Sequence, residues 1–308
     1  MTDHPPRILS VVKIWDKAPH SAFTDLLRSR DRWWCSFREA EAHGDSIGTL
    51  RVLVSDDGDN WSSVAEVKEE GVDLRDPKLS QMPDGRLLLV SGGSLYDRNG
   101  DGAYRTRCPR VSFSDDGYLW TQPRRCLAED HWLWRVTWHG DDGYSVSKLG
   151  EGGDPRRGFL YRTVNGLDWE WITEFRLPDD IWTVSETTLR IMPDEEMIAL
   201  IRPDWIGRSM PPFVDWSFTQ IEHRMGGPNF IRVPDGTLWA CARGQHEDVP
   251  GTVLARMTPT SYETVARLPS SGDCSYAGMV WHDELLWISY YSTHEEKTSV
   301  YLARVDVS

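Results

Sequence analysis

At 308 residues the chain has the length of two average domains or of one large all-β domain, and 39% apolar residues with 16 Trp, 10 Tyr and 8 Phe exclude intrinsic disorder. Forty-eight acidic against 34 basic side chains give a net charge of −14, which excludes a nucleic-acid partner but not an anionic small molecule, because a pocket answers to its local charges. No stretch approaches the roughly 18 apolar residues of a membrane span, and MTDHPPRILSVVKIWDK lacks a basic segment followed by a long apolar run, so a soluble, cytoplasmic protein is expected. Cys35, Cys108, Cys126, Cys241 and Cys274 are odd in number and scattered, with no CxxC, which predicts reduced thiols rather than disulfides or a zinc site.

Along the chain, Ile8 to Ile14 is a first strand-like segment. After it, short apolar or aromatic runs recur at Trp33 to Phe37, Leu87 to Ser91, Tyr144 to Lys148, Met197 to Ile201, Leu238 to Ala242 and Leu286 to Tyr290, their starts 54, 57, 53, 41 and 48 residues apart. Four follow a turn signal: Pro83-Asp84-Gly85, Asp141-Asp142-Gly143, Pro193-Asp194-Glu195 and Pro234-Asp235-Gly236. Each turn sits between two strand-like stretches, so the repeating unit contains a hairpin. A period of about 40 to 50 residues built from short strands is the signature of propeller blades. Long segments of helical period are missing, and Thr, Val, Trp, Gly and Pro are plentiful. The expectation is an all-β chain, one six-bladed β-propeller of four-stranded antiparallel blades over residues 1–308. Ile8 to Ile14 should pair with Val300 to Val307 in the last blade, because closing the ring removes two sheet edges.

A second repeat has the form S-D-D-G-x-x-W: Ser55 to Trp61, Ser114 to Trp120 and a degraded copy, Thr163 to Trp169. Asp or Asn bonds its own backbone, Gly supplies positive φ, and Trp anchors the turn on the sheet. These turns resemble the Asp-box of the sialidase (neuraminidase) superfamily, one residue shorter than its S-x-D-x-G-x-T-W. Arg75-Asp76-Pro77-Lys78-Leu79, followed by Pro83-Asp84-Gly85, is similar to that family's R-I-P-A segment and hairpin. Ser185-Glu186-Thr187-Thr188-Leu189 resembles the segment in which a catalytic Glu precedes a substrate-binding Arg by 16 residues; here that arginine is Arg202. Ser275-Tyr276-Ala277-Gly278-Met279-Val280 is similar to the segment bearing the catalytic Tyr. The resemblance spans about residues 30 to 305.

The repeat also gathers these residues. Counting back from the hairpin turns reaches Arg75, Arg135, Glu186 and Tyr276; counting forward reaches Arg202 and Arg243, each eight residues beyond its turn Asp, with Arg38 ending the matching strand of the first unit. Equivalent positions on successive blades surround the axis, so these side chains should converge on one mouth of the channel. Guanidinium forks hold a carboxylate bidentately and stay charged. Where a sugar carries its carboxylate on the anomeric carbon, an Asp or Glu nucleophile meets charge repulsion and a neutral Tyr does not. The resemblance implies Tyr276 as nucleophile, Glu186 as its base, and Arg75, Arg202 and Arg243 as a carboxylate clamp in a retaining exo-glycosidase of α-linked sialic acid or a related acidic sugar.

The match breaks at the acid/base residue. The family register places Asn99 there, flanked by the candidates Asp97, slightly preferred, and Asp101. Asp97 to Gly102 also matches the start of a calcium loop, D-x-N-x-D-G, with Cys108 where the position-12 ligand belongs. Arg224 rivals Arg243 as third arginine, while Arg38 and Arg135 are additional candidates that point to a substrate differing from the usual one. His43, His246 and His294 follow no metal-ligand spacing and are candidates for the rim. No metal or cofactor is expected. Two other readings stay open: the same pocket acting on another glycan, such as a uronic-acid-containing one, by hydrolysis or elimination, and a catalytically silent propeller that binds glycans or protein.

Overall fold

A computed structural model of the chain describes residues 5–44, 46–96, 104–150, 156–178 and 183–308. The first strand, β1 (Arg7–Trp15), opens no sheet of its own; the first blade begins with β2 (His20–Ser29) and continues outward through β3 (Arg32–Ala40), β4 (Thr49–Ser55) and β5 (Ser62–Val67). The second blade is β6 (Asp73–Gln81), β7 (Leu87–Tyr96), β8 (Tyr104–Ser114) and β9 (Arg124–Arg125). In the third, the inner strand is broken into β10 (His131–Leu133) and β11 (Thr137–His139), both paired with β12 (Asp142–Leu149), and β13 (Arg157–Thr163) and β14 (Glu170–Phe175) follow. The fourth comprises β15 (Thr187–Ile191), β16 (Met197–Ile201), β17 (Trp205–Ser209) and β18 (Ser217–Gln220), and the fifth β19 (Gly226–Arg232), β20 (Leu238–His246), β21 (Val249–Thr258) and β22 (Ser261–Arg267). The sixth holds β23 (Cys274–His282), β24 (Leu285–Ser292) and β25 (Ser299–Asp306), and β1 completes it.

This is the six-bladed antiparallel propeller that the hairpin period predicts. β1 pairs with β25 in the expected place, Ile8 opposite Val305 and Val12 opposite Leu302, so the two ends of the described chain share a sheet. Both faces of each blade are covered by neighbours, which is why a strand such as Met197–Ile201 is apolar throughout and fully buried rather than alternating. Six apolar clusters fill the seams, each bridging two consecutive blades; Trp33 and Phe37 of the first blade, for instance, meet Trp287 and Leu302 of the sixth. All five cysteines are free, four of them buried. No helix among the described residues is long and apolar enough to cross a membrane.

The axis is filled by hydrogen-bonded polar groups. Asp25 of β2 is fully buried and accepts from Leu26 N at 2.9 Å, from Leu79 N of the second blade at 2.8 Å and from Arg135 of the third. Lys78 donates to Thr24 O at 3.0 Å, and Thr24 Oγ1 to Tyr276 O at 3.0 Å. Asn229 donates to Ala277 O at 2.9 Å, and Thr188 to Pro228 O at 2.9 Å. Every blade is therefore tied to another at the centre. The break in the third inner strand belongs to this arrangement, since it turns Arg135 onto Asp25.

The turns between third and fourth strands are one motif used three times. In the second blade, Gly117 N donates to Ser114 Oγ at 2.8 Å, Asp116 Oδ1 accepts from Tyr118 N and Leu119 N at 2.8 and 2.9 Å, and Trp120 Nε1 donates to Gly117 O at 2.9 Å. Gly117 has φ +84°, and a Cβ there would lie 2.2 Å from the Trp34 ring of the preceding blade. The turn is thus a spacer between blades as well as a hairpin end. Gly85 has a similar φ, +88°, with nothing within 4 Å of an added Cβ. Gly117→Ala is expected to destabilise by about 2 kcal/mol more than Gly85→Ala in chemical denaturation, because only the first adds overpacking to backbone strain; equal losses would remove the spacer role.

Candidate active site

Four inner strands carry the same irregularity at the same rung. The ladder is regular at Ala22 opposite Arg38, Arg75 opposite Gly92, Gly226 opposite Arg243 and Ser275 opposite Tyr291, and each then holds one extra residue before pairing resumes. The first residue of each bulge has positive φ: Phe23 at 63°, Asp76 at 51°, Gly227 at 54° and Tyr276 at 51°. A bulge re-aims a side chain without interrupting the sheet around it. Phe23, Asp76 and Tyr276 line one cavity of about 260 Å³, together with Arg75, Lys148 and Glu186. Gly227 carries no side chain because the Tyr276 ring covers it; a Cβ there would sit 2.5 Å from the ring.

Glu186 arrives by a different route. Thr187 pairs with Ile201 at the start of the fourth blade, so Glu186 and Arg202 occupy the next rung and the 16-residue spacing is the length of that hairpin. Their main chains are joined as well, Arg202 N to Glu186 O at 3.1 Å. Arg202 Nη1 donates to both carboxylate oxygens of Glu186, at 2.8 and 2.9 Å, and to the Tyr276 hydroxyl at 3.0 Å. Tyr276 in turn donates to Glu186 Oε1 at 2.9 Å. Burial pushes the Glu186 carboxyl up, but Arg202 and then Lys148 outweigh it and leave it down at about 2. Burial first, and Glu186 second, push the Tyr276 phenol far above its ordinary value. The resting pair is a neutral phenol donating to a carboxylate, with the guanidinium bonded to both.

Asp76 is the site residue that the sequence reading passed over. It is buried, its Oδ1 meets no hydrogen-bond partner among the described residues, and burial raises its carboxyl against the opposing pull of Arg75, Lys78 and Lys148. A signal was available: Tyr276 is a bulge residue, so its counterpart in the second blade is Asp76, one position past Arg75.

The predicted arginines divide. Arg75 lies over the Phe23 ring, 5.1 Å from its centroid, and 3.4 Å from Asp73. Arg243 lies over the Tyr276 ring at 5.7 Å; with Arg202 and the exposed Arg224 it lines a second cavity of about 500 Å³, so both rivals for the third arginine stand on one wall. Arg38 occupies the rung equivalent to Arg202 and Arg243, yet it is wholly buried and bonded to Asp73 at 2.8 Å and to the carbonyls of Ala42 and Ser46. Arg135 is held by Asp25 and Ala277 O in the axial network. Asp97, Asp101 and the calcium-loop candidate Asp97 to Gly102 lie outside the described residues.

His43 reaches the smaller cavity, whereas His294 bonds Ser292 at 2.9 Å and packs on Tyr301. His20, His43 and Asp273 bring three possible metal-ligating atoms within 4.8 Å. Asp273 accepts from both imidazoles, at 3.1 and 2.6 Å, and also from Tyr291 at 2.7 Å and Arg243 at 3.4 Å. Burial raises its carboxyl, but the bonds from His20, His43 and Tyr291 prevail and hold it well below the carboxylate range. With a guanidinium on the same carboxylate, the cluster reads as the anchor of Arg243 rather than as a cation site.

No family model and no curated protein matches the sequence. Solved structures do share the fold. A protein of unknown function from Dyadobacter fermentans superposes with TM-score 0.84 at 16% identity, covering 99% of this chain and 100% of its own. Trypanosoma rangeli sialidase in complex with the inhibitor DANA gives 0.71 at 12% identity over 97% of this chain, which spans 58% of the sialidase's length. The GH93 α-L-arabinofuranosidase of Fusarium graminearum in complex with arabinobiose gives 0.72 at 15% identity, covering 96% of this chain and 98% of that one. At these identities the likeness is one of fold.

Glu186 has a folded-state pKa below its ordinary 4.5, so its ion pair contributes stability above that value and loses it as pH falls toward about 2. Glu186→Gln is expected to destabilise by roughly 3 kcal/mol at pH 7, with the gap to wild type narrowing between pH 4.5 and 2.5 in urea titrations. A gap that holds its size at pH 2.5 would contradict the charged pairing.

Proposed function

We propose that the protein is a retaining exo-glycoside hydrolase that releases a terminal α-linked sialic acid or a related acidic sugar. The observation that carries this reading is the contact set of Tyr276, Glu186 and Arg202, in which a buried phenol donates to an ionised carboxylate while accepting from a guanidinium. Attack by the phenol oxygen on the anomeric carbon passes its proton to Glu186 as the bond forms. Arg202, bonded to both oxygens, stabilises the negative charge while it moves from the carboxylate to the phenol oxygen. Water then displaces the tyrosyl ether, and Glu186 returns the proton to Tyr276.

A tyrosine in this position suits a sugar whose anomeric carbon carries a carboxylate. Two unit negative charges about 4 Å apart repel by roughly 4 kcal/mol at an effective dielectric of 20, a cost that a carboxylate nucleophile bears and a phenol avoids. Arg75, Arg202 and Arg243 are the proposed carboxylate clamp, with Arg224 at its edge. Arg75 and Arg243 are held by Asp73 and Asp273 respectively, so each is oriented before a ligand arrives. The fold shared with a sialidase supports the reading, and the GH93 neighbour makes a neutral arabinofuranoside the control.

The test is turnover of a fluorogenic α-sialoside beside aryl uronides and an aryl arabinofuranoside. Wild type is expected to cleave the sialoside, with Tyr276→Phe and Glu186→Gln each reducing kcat/KM by at least about 100-fold. Cleavage of the uronide alone would keep the hydrolase and replace the sugar. Binding of free sialic acid that survives Tyr276→Phe, with no turnover of any glycoside, would favour a silent glycan-binding propeller.

A further inference from the structure

We infer that Asp76 is the general acid/base of the reaction, donating the proton that the departing glycosidic oxygen needs and afterwards taking one from the attacking water. This rests on the hydrolase reading above and deepens it. Asp76 lines the cavity that Tyr276 and Glu186 line, at the bulge position of the second blade that Tyr276 occupies in the sixth. Pro77 follows it, and the ladder resumes at Lys78, so the backbone that aims the carboxyl is pinned on both sides.

The surroundings match the role. An acid must hold its proton at working pH, and Asp76 is buried with Oδ1 unpartnered among the described residues, while burial raises its carboxyl. It must also become anionic once the proton has gone. Arg75, Lys78 and Lys148 each favour that form, whereas Glu186 opposes it. Tyr276 and Asp76 thus stand as unlike groups in one cavity: a phenol served by an ionised Glu186, and a carboxyl that burial raises while Arg75, Lys78 and Lys148 pull it back.

In the first step the C–O glycosidic bond breaks, its electron pair goes to the leaving oxygen, and that oxygen takes the Asp76 proton. The phenol oxygen bonds the anomeric carbon and its proton passes to Glu186. In the second step Asp76 carboxylate removes a proton from water, the water oxygen bonds the anomeric carbon, and the tyrosyl oxygen leaves with the proton from Glu186. The sum is glycoside plus water to sugar plus alcohol, with Asp76, Glu186 and Tyr276 restored.

The experiment compares one sugar on two leaving groups, an aryl α-sialoside and sialyl-lactose, in wild type, Asp76→Asn, Asp76→Ala and Tyr276→Phe. Asp76→Asn is expected to lose about 100-fold or more in kcat/KM on sialyl-lactose, whose alkoxide needs the proton, and less than about 10-fold on the aryl glycoside, whose phenolate does not. The alkaline fall of the wild-type pH profile should disappear in Asp76→Asn. Azide is expected to restore turnover of the aryl glycoside by Asp76→Ala and to yield the glycosyl azide of retained configuration, a result that a merely structural role would not give. Equal losses on both leaving groups, or no loss, with Tyr276→Phe inactive, would overturn Asp76 and leave the hydrolase standing. A wild type silent on both glycosides would overturn the hydrolase reading and the acid role with it.

Discussion

Asp25 holds the centre of this propeller. A carboxylate with no exposure to solvent is tolerable only when its lone pairs are filled, and here they are filled from three blades: its own, the second through Leu79 N and the third through Arg135. Removing one partner of a buried pair like this typically costs about 3–5 kcal/mol, so the network fixes one arrangement of the inner strands rather than many. The apolar seams hold each blade to the next. The axial hydrogen bonds set how the inner strands stand toward one another, and side chains that line the cavity, such as Phe23, Asp76 and Tyr276, project from those strands.

From that fixed centre the mouth is built by one backbone device. A bulge at the same rung of four inner strands turns its first residue toward the cavity or, at Gly227, leaves room for a neighbour. The device is indifferent to chemistry: the same bend presents a phenyl ring, a carboxyl and a phenol. Thr24, the residue just before the ladder resumes at Asp25, donates to Tyr276 O, so the bulge bearing the proposed nucleophile is tied to the first blade. Glu186 needs no bulge, because its partner Arg202 lies beside it on the hairpin.

The architecture was legible in the sequence because each hairpin repeats local turn chemistry, and local chemistry survives without an alignment. Glu186, Arg202 and Tyr276 were found by counting from those turns, since strand length fixes their rung. Counting stopped short where the backbone departs from the ladder. Arg38 and Arg202 are equivalent in register, but Arg38 is covered by the chain around Ala42 and Ser46 and paired with Asp73, contacts that no periodicity encodes. Asp76 was hidden by the extra residue of its bulge, which shifted attention to Arg75. The His20–His43–Asp273 cluster was invisible for another reason: it joins the first blade to the sixth across 230 residues of chain from His43 to Asp273.

The central chemical claim is that a tyrosine, rather than a carboxylate, bonds the sugar. The ionised Glu186 beside it is the natural competitor, so the question is which of two touching residues becomes glycosylated. Incubation with a 2,3-difluorinated sialic acid, whose electron-withdrawing fluorine slows release of the covalent intermediate, followed by peptide mass spectrometry, answers it directly. The expected result is one sugar adduct, on the peptide containing Tyr276 and on its phenol oxygen. An adduct on Glu186, or inactivation with no adduct on Tyr276, would contradict the account.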